Sequence, residues 1–140
     1  MVTIRRATIS DEPRAMELLS QLIEDATPRP DVWGPSFREL VASSRGAALV
    51  AEDETGVLGL ITTSYNLAVR YGGEYAQIEE LIVDPRARGM NAGAALVRAS
   101  IDAARAHGCR EIGLYSREHT RAFYEKLGFS YAGPELRQPL

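Results

Sequence analysis

Hydrophobic positions along this chain alternate between a period of two and a helical period of about 3.6 residues. Segments of strand composition, bounded by turn residues, predict strands over residues 2–7, 47–52, 57–64, 75–83, 110–115 and 129–132. Apolar residues at helical spacing predict helices over residues 11–26, 36–44, 90–107 and 119–127, the first capped by Ser10. This order predicts one α+β domain over residues 1–140, built around a mixed sheet that contains a right-handed parallel crossover.

Composition is typical of an ordinary globular protein. The chain has 140 residues, of which 45% are hydrophobic and 25% charged, and these values argue against disorder, collagen and coiled coil. The net charge is −3, so the basic face of a nucleic-acid-binding protein is not expected.

Cysteine and histidine content argues against disulfide and zinc chemistry. Cys109 is the only cysteine, and the two histidines, His107 and His119, are far apart in the sequence, so no metal is expected. No segment reaches the ~18 apolar residues of a membrane span, and the N-terminus lacks a signal-peptide pattern. These features favour a cytoplasmic protein.

The most informative segment, residues 82–93, leads from the end of a strand through a short basic loop into a helix. The first N–H groups of a helix lack internal partners and attract anions. Gly89 and Gly93 would let a phosphate approach the backbone, and Asn91 tolerates a left-handed conformation. Arg86 and Arg88 would add charged donors. The segment therefore predicts a phosphate cradle, with a plain strand-to-helix turn as the alternative.

Two common nucleotide motifs do not fit this segment. A P-loop would end in Gly-Lys-Ser/Thr, which is absent here. A dinucleotide-binding fold would carry its glycines after the first strand of a larger domain, whereas these follow the fourth predicted strand.

Three ordered motifs resemble the GNAT superfamily of N-acetyltransferases. Residues 88–93, Arg-Gly-Met-Asn-Ala-Gly, are similar to its Arg/Gln-x-x-Gly-x-Gly/Ala acyl-CoA signature. Residues 78–85, Ile-Glu-Glu-Leu-Ile-Val-Asp-Pro, resemble its fourth strand, and residues 123–129, Phe-Tyr-Glu-Lys-Leu-Gly-Phe, resemble its second signature. Residues 4–8, followed by Asp11, also look like the start of the family, so the similarity covers nearly the whole chain.

This resemblance implies a fold and a cosubstrate. The expected fold is a three-layer α/β/α-like arrangement around a mixed, mostly antiparallel sheet of about six to seven strands, in which a β-bulge splays the fourth and fifth strands apart. Acetyl-CoA would place its pyrophosphate on the N–H groups of the cradle and its pantetheine arm along strand 75–83. Asn91 replaces the usual glycine, and Arg117 replaces a cofactor-contacting asparagine, whose role Ser116 is expected to take. The expected cofactor-binding residues are Leu81, Ile82, Val83, Arg86, Arg88, Gly89, Met90, Asn91, Ala92, Gly93, Ala94 and Ser116.

The same resemblance implies an N-acetyltransferase that moves acetyl from acetyl-CoA to a primary amine of a small molecule, by direct attack in a ternary complex. The attacking amine must be neutral, and Glu79 and Glu80 are the nearest carboxylates that could take its proton. A regular strand would place the two on opposite faces, and we favour Glu79, although a bulge would change that phase. Tyr124 would protonate the leaving thiolate, and the Val83 N–H would hold the oxyanion.

The acceptor is less well defined. By resemblance its pocket is expected from residues 24–35 and 66–74, whose mixture of acidic and basic side chains suits an amino acid, an aminoalkyl phosphonate or an amino sugar phosphate. The loop 87–93 is also similar to that of aminoalkylphosphonate N-acetyltransferases. A homodimer is expected because it is common in the family. Two alternatives stay open, namely a catalytically idle acyl-CoA-binding or regulatory domain and a protein or peptide N-acetyltransferase.

Overall fold

A five-stranded mixed sheet forms the centre of the computed structural model, which describes residues 1–22 and 27–140. The strands lie side by side in chain order: β1 (Thr3–Arg6), β2 (Gly46–Asp53), β3 (Gly56–Ala68), β4 (Gly73–Val83) and β5 (Ile112–Leu114). Neighbours from β1 to β4 are antiparallel, whereas β5 runs parallel to β4. A parallel pair needs a crossover connection, and a long helix between β4 and β5 supplies it.

Helices cover both faces of this sheet and give three layers. The helices are α1 (Glu12–Leu22), α2 (Pro30–Ala42), α3 (Ala92–His107) and α4 (Arg121–Glu125). Leu18 of α1 and Phe37 of α2 pack against one face, while Leu96 of α3 packs against the other. Because side chains alternate along a strand, β2 sends Val50 into the first core and Leu49 into the second.

The start of α1 differs from the prediction that Ser10 caps it. A 3-10 turn over Ile9–Asp11 precedes the helix, and the Thr8 N–H donates to the Asp11 carboxylate at 2.8 Å. The Arg5 guanidinium binds both oxygens of Asp11, at 2.8 and 3.0 Å, and this contact lowers the pKa of Asp11. The cap therefore lies two residues earlier than predicted. The predicted end of this helix, residues 23–26, lies outside the described residues.

The expectation of six to seven strands was wrong, because the described residues form five. Residues 129–132, predicted as a strand from their alternating pattern, pair with no other strand. Gly128 and Gly133 flank this segment with φ of 98° and 130°, and Tyr131 is 67% exposed. Phe129 packs on Tyr124, with 5.9 Å between ring centroids, so the segment leaves α4 along the surface of the second core.

Other boundaries moved by a few residues. The second helix begins at Pro30 rather than at residue 36, since proline suits the first helical turn. The last predicted helix divides into a 3-10 turn, Glu118–Thr120, and the short α4. None of the described helices combines the length and apolarity needed to span a membrane.

Candidate active site

A β-bulge in β4 breaks the alternation of its side chains. Thr62 of β3 pairs with Glu80, but the next residue, Thr63, pairs with Ile78, so Glu79 is the extra residue. Ile78 consequently packs in the α3 core and Ile82 in the α1–α2 core, although a regular strand would place them on one face. Our preference for Glu79 started from the side-chain alternation of a regular strand, and the bulge interrupts that alternation at Glu79.

The second half of β4 has an open side. Pairing of β4 with β5 ends at Ile78 and Leu114, and within the described chain β5 does not continue beside residues 79–83. The Asp84 N–H donates to the Leu58 carbonyl at 2.7 Å. Because backbone groups alternate in direction along an antiparallel pair, those of Ile82 also face β3, whereas those of Leu81 and Val83 face the open side.

A cleft of about 550 Å³ lies along this open side and reaches the start of α3. The predicted cofactor and catalytic residues that line it are Leu81, Val83, Arg88, Gly89, Asn91, Ala92, Gly93, Ala94 and Tyr124. Sequence analysis did not single out Ala87, Thr120 and Phe123, which also line it. Thr120 stands four residues before Tyr124, and this helical spacing is the signal that could have identified it.

The loop before α3 presents backbone donors to this cleft. Gly89 and Asn91 both have positive φ, 83° and 57°, and turn the chain sharply into the helix. The Ala95 N–H makes the first helical bond, to the Asn91 carbonyl at 3.0 Å. The N–H groups of residues 92–94 therefore have no partner within the helix, and such groups suit the oxygens of a pyrophosphate.

Four predicted cofactor residues lie outside this lining. Ile82 packs in the opposite core, and Met90 donates its N–H to the Ala87 carbonyl at 3.2 Å. The Arg86 Nε lies 3.4 Å from Asp84 Oδ2, and the Arg86 side chain is about half exposed. The Ser116 hydroxyl bonds the Thr120 hydroxyl at 2.8 Å, so Ser116 is one residue removed from the cleft.

Tyr124 lies between two aromatic rings at the wall of the cleft. Its ring makes edge contacts with Phe123 and Phe129, with centroids 5.0 and 5.9 Å apart. Burial raises the pKa of Tyr124 above its ordinary value, so the phenol keeps its proton. No described residue hydrogen-bonds the Tyr124 hydroxyl, which leaves it available to a bound molecule.

A second cleft, of about 330 Å³, lies on the α1–α2 face of the sheet beside the bulge. Its polar lining includes Ser36, Glu39, Arg45, Asn66, Glu79 and Glu80. The expected acceptor region, residues 24–35 and 66–74, contributes Asn66, while Glu24 and Asp25 lie outside the described residues. Because α2 begins at Pro30, its second half supplies the wall that we had expected from the preceding loop.

Hydrogen bonds from β3 hold both carboxylates of this cleft. The Ser64 hydroxyl donates to Glu79 at 2.7 Å, and the Thr62 hydroxyl donates to Glu80. Burial raises the pKa of Glu80, the Thr62 hydrogen bond partly offsets that effect, and the Glu79 charge adds to it. Glu80 is thus a carboxylate in a partly dry environment, which makes it a stronger proton acceptor than an exposed one.

Comparison with known proteins assigns this architecture to a family. The chain matches the Acetyltransferase (GNAT) family over residues 14–129. A probable glucosamine 6-phosphate N-acetyltransferase of rice, Oryza sativa subsp. japonica, is 31% identical, over 96% of this chain and 86% of that protein.

Solved structures share the fold at full length. The glucosamine-6-phosphate N-acetyltransferase of Arabidopsis thaliana superposes with a TM-score of 0.85 at 26% identity, covering 99% of this chain and 98% of that one. A protein described as a transcriptional regulator from Bacillus halodurans C-125 superposes with a TM-score of 0.89 at 25% identity, covering both chains completely. The chain therefore belongs to the GNAT family of acetyltransferases and is an acetyl-CoA-dependent N-acetyltransferase.

Proposed function

We propose that this enzyme acetylates the primary amine of a small amino sugar phosphate, with glucosamine 6-phosphate as the first candidate, within one domain formed by residues 1–140. The observation that carries the proposal is the pair of carboxylates, Glu79 and Glu80, in a cleft across β4 from the α3 cleft. Two carboxylates suit a substrate that arrives as an ammonium ion. The names of the rice and Arabidopsis relatives supply the candidate.

Acetyl-CoA occupies the cleft beside α3 in this proposal. The N–H groups of Gly89 and of residues 92–94 bind the pyrophosphate, and Arg88 adds charge. The backbone of Leu81 and Val83 faces the open side of β4 and pairs with the pantetheine arm as an added strand would. Four further residues act at the rim of this cleft or through the shape of the loop before α3: Arg86, Met90, Asn91 and Ser116. Ile82 acts only by fixing the register of β4.

Glu80 takes the proton of the amine, directly or through a water molecule, and Glu79 binds the ammonium form. This assignment replaces our preference for Glu79, because the bulge makes Glu79 the exposed residue and leaves Glu80 in the drier position. A desolvated carboxylate is the better base, since burial disfavours its charged form.

The reaction then proceeds in one ternary complex. The amine nitrogen forms a bond to the thioester carbonyl carbon, and the Val83 N–H stabilises the oxyanion that results. The carbon–sulfur bond breaks as the oxyanion collapses, and Tyr124 donates its proton to the departing thiolate. The nitrogen loses its second proton in the same step, and that proton restores the Tyr124 phenol, directly or through water, while Glu80 releases its own proton to solvent. Raising the pKa of Tyr124 keeps it in the protonated form that this step needs.

Arg45 provides a binding group for the anionic end of the acceptor. It lies at the edge of the second cleft, where its guanidinium contacts the exposed carboxylate of Glu39 at 2.8 Å. An exposed pair of this kind contributes little to stability, so a phosphate can displace Glu39 at low cost.

We further propose a cytoplasmic homodimer. Cys109 is a free thiol, which suits a reducing compartment. The outer edge of β5 pairs with no strand in the described chain, so it is available to a second copy. Two exposed aromatic side chains, Tyr115 and Tyr131, follow β5 in the sequence.

The acceptor assignment is tested by product analysis. Purified enzyme is incubated with acetyl-CoA and a panel of amines, comprising glucosamine 6-phosphate, glucosamine, aminoalkyl phosphonates, amino acids and a peptide, and acetylated products are identified by mass spectrometry. We expect the amino sugar phosphate to have the highest kcat/KM, and an Arg45→Met variant to lose its preference over glucosamine. Preferential acetylation of a different acceptor class would contradict the assignment.

A further inference from the structure

The candidate base is held by a residue on the neighbouring strand. Thr62 lies directly opposite Glu80 in the β3–β4 register, at the last pair before the bulge. Thr62 is only 5% exposed, and its hydroxyl donates to Glu80 Oε1. The threonine thus uses its single hydrogen on a carboxylate rather than on water or on the backbone.

This contact fixes one oxygen of Glu80 and leaves the other free to accept a proton. A glutamate has three rotatable side-chain bonds, so a free one adopts many rotamers. The register of two paired strands sets the position of the Thr62 hydroxyl, which in turn selects one orientation of the carboxylate.

We propose that Thr62 is a positioning residue for acetyl transfer, which holds Glu80 oriented and ionised at the wall of the acceptor cleft. This inference rests on the proposed function, in which Glu80 is the base. It concerns a residue that does not itself touch the thioester or the leaving thiolate.

The electrostatic surroundings give this contact a consequence for pH. The titratable and charged side chains that line the cleft around Glu80 are Glu79 of the same strand, Tyr65 of β3, Glu39 of α2 and Arg45 before β2. From α1, the apolar side chains of Met16 and Leu19 pack on the same core, while the charged Arg14 is bound to Asp84. Burial and the Glu79 charge both raise the pKa of Glu80, and the Thr62 hydrogen bond opposes them. Without that bond, Glu80 becomes protonated at a higher pH and loses its function as a base there.

The test is the pH profile of kcat for Thr62→Val, which keeps the shape of the side chain and removes the hydroxyl. We expect the acidic limb of the profile to move to higher pH, with kcat lowered by about tenfold at the acidic end and much less at the alkaline end. Thr62→Ser restores a hydroxyl at the same carbon and should return the limb toward that of the wild type.

Thr63→Val is the matched control. It removes a hydroxyl from the next residue of the same strand, where Thr63 also borders the cleft but pairs its hydroxyl with that of Ser100 of α3 at 2.6 Å. We expect a loss of thermal stability in this variant and an acidic limb like that of the wild type. A limb that moves equally in Thr62→Val and Thr63→Val would reduce the role of Thr62 to packing and overturn the inference.

A second measurement follows Glu80 without turnover. The enzyme is labelled with carboxyl-¹³C glutamate, and the Glu80 resonance, assigned by its loss in Glu80→Gln, is titrated in wild type and Thr62→Val. A higher titration midpoint in Thr62→Val is expected, and an unchanged midpoint would overturn the inference even if the enzyme is an active acetyltransferase. Retention of wild-type kcat by Glu80→Gln would instead remove Glu80 as the base, and the proposed role of Thr62 with it.

Discussion

Arg14 of α1 donates to the Asp84 carboxylate across 2.6 Å and thereby ties the first helix to the residue that ends β4. The same guanidinium donates to the Val57 carbonyl at 3.0 Å, at the start of β3. The other oxygen of Asp84 accepts the Arg86 N–H at 3.0 Å and caps the turn that opens the loop before α3. One carboxylate therefore sets where that loop begins.

Replacing Asp84 with asparagine should weaken acetyl-CoA binding. The amide keeps the size of the side chain but loses the charge that binds Arg14, so the loop loses its anchor to α1. We expect the Kd of acetyl-CoA, measured by isothermal titration calorimetry, to rise about tenfold. Glu17→Gln removes the exposed partner of Arg14, at 3.1 Å, and is the control that should keep the wild-type Kd. An unchanged Kd in Asp84→Asn would exclude the anchoring role.

Asp84 should also contribute to the acid sensitivity of the fold. The Arg86 N–H and then the Arg14 guanidinium lower the pKa of Asp84 below its ordinary value of 3.8. A lowered folded-state pKa stabilises the protein above the unfolded pKa, and this contribution is lost as pH falls below it toward the folded value. The difference in free energy of unfolding between wild type and Asp84→Asn, measured by urea denaturation, should be constant near neutral pH. We expect it to shrink below about pH 4, and a difference that grows on acidification would have the wrong sign.

Gly93→Ala should weaken acetyl-CoA binding without destabilising the fold. A Cβ at this position would lie 3.6 Å from the Phe123 ring, an ordinary contact, and its φ is not positive. Gly93→Ala should therefore keep or slightly raise Tm, because alanine is the better helix former. The added methyl group enters the phosphate approach at the start of α3, so the Kd of acetyl-CoA should rise by about tenfold or more.

Gly113→Ala in β5 is the matched substitution, since its Cβ would also meet only an ordinary contact, Gln77 Oε1 at 3.9 Å. It should leave the Kd unchanged. Equal affinity of the Gly93→Ala and Gly113→Ala variants for acetyl-CoA would argue against a cofactor site at the start of α3.

Tyr124→Phe should slow the chemical step without weakening cosubstrate binding. The ring packing against Phe123 and Phe129 is kept, and only the proton donor is lost. We expect kcat to fall about 10²-fold with an unchanged Kd for acetyl-CoA. Burial raises the pKa of Tyr124 above the ordinary tyrosine value of 10.0. Ionisation of Tyr124 should therefore not lower the wild-type rate at any pH below that value. Tyr131→Phe, at an exposed position, should have wild-type kcat, and similar values for both variants would remove Tyr124 as the acid.

Local sequence was sufficient for the conformation of the loop before α3 but not for the faces of β4. The loop before α3 could be predicted because its features belong to one short segment. They are its glycines, the left-handed conformation that Asn91 tolerates, and the first helical N–H groups, which lack acceptors within the helix. The orientation of Glu79 and Glu80 depends on a bulge that arises from pairing with Thr62 and Thr63, more than a dozen residues away. A pattern of period two carries no information about such a shift in register.

The same limit explains the missing strand and the acceptor wall. Residues 129–132 have the alternation of a strand, but a strand also needs a partner edge, and packing of Phe129 on Tyr124 directs the segment elsewhere. Whether the second cleft uses the loop before α2 or the helix itself depends on where α2 crosses the sheet. That position is set by tertiary contacts such as Phe37 in the first core.

We infer that acetyl-CoA and an amino sugar phosphate react directly across β4. The most direct test of this inference is the initial rate of CoA thiol release, measured while the concentrations of acetyl-CoA and glucosamine 6-phosphate are both varied. We expect saturable release with intersecting double-reciprocal lines, because both substrates must be bound before the acetyl group moves. Parallel lines, or no release with glucosamine 6-phosphate at any concentration, would contradict it.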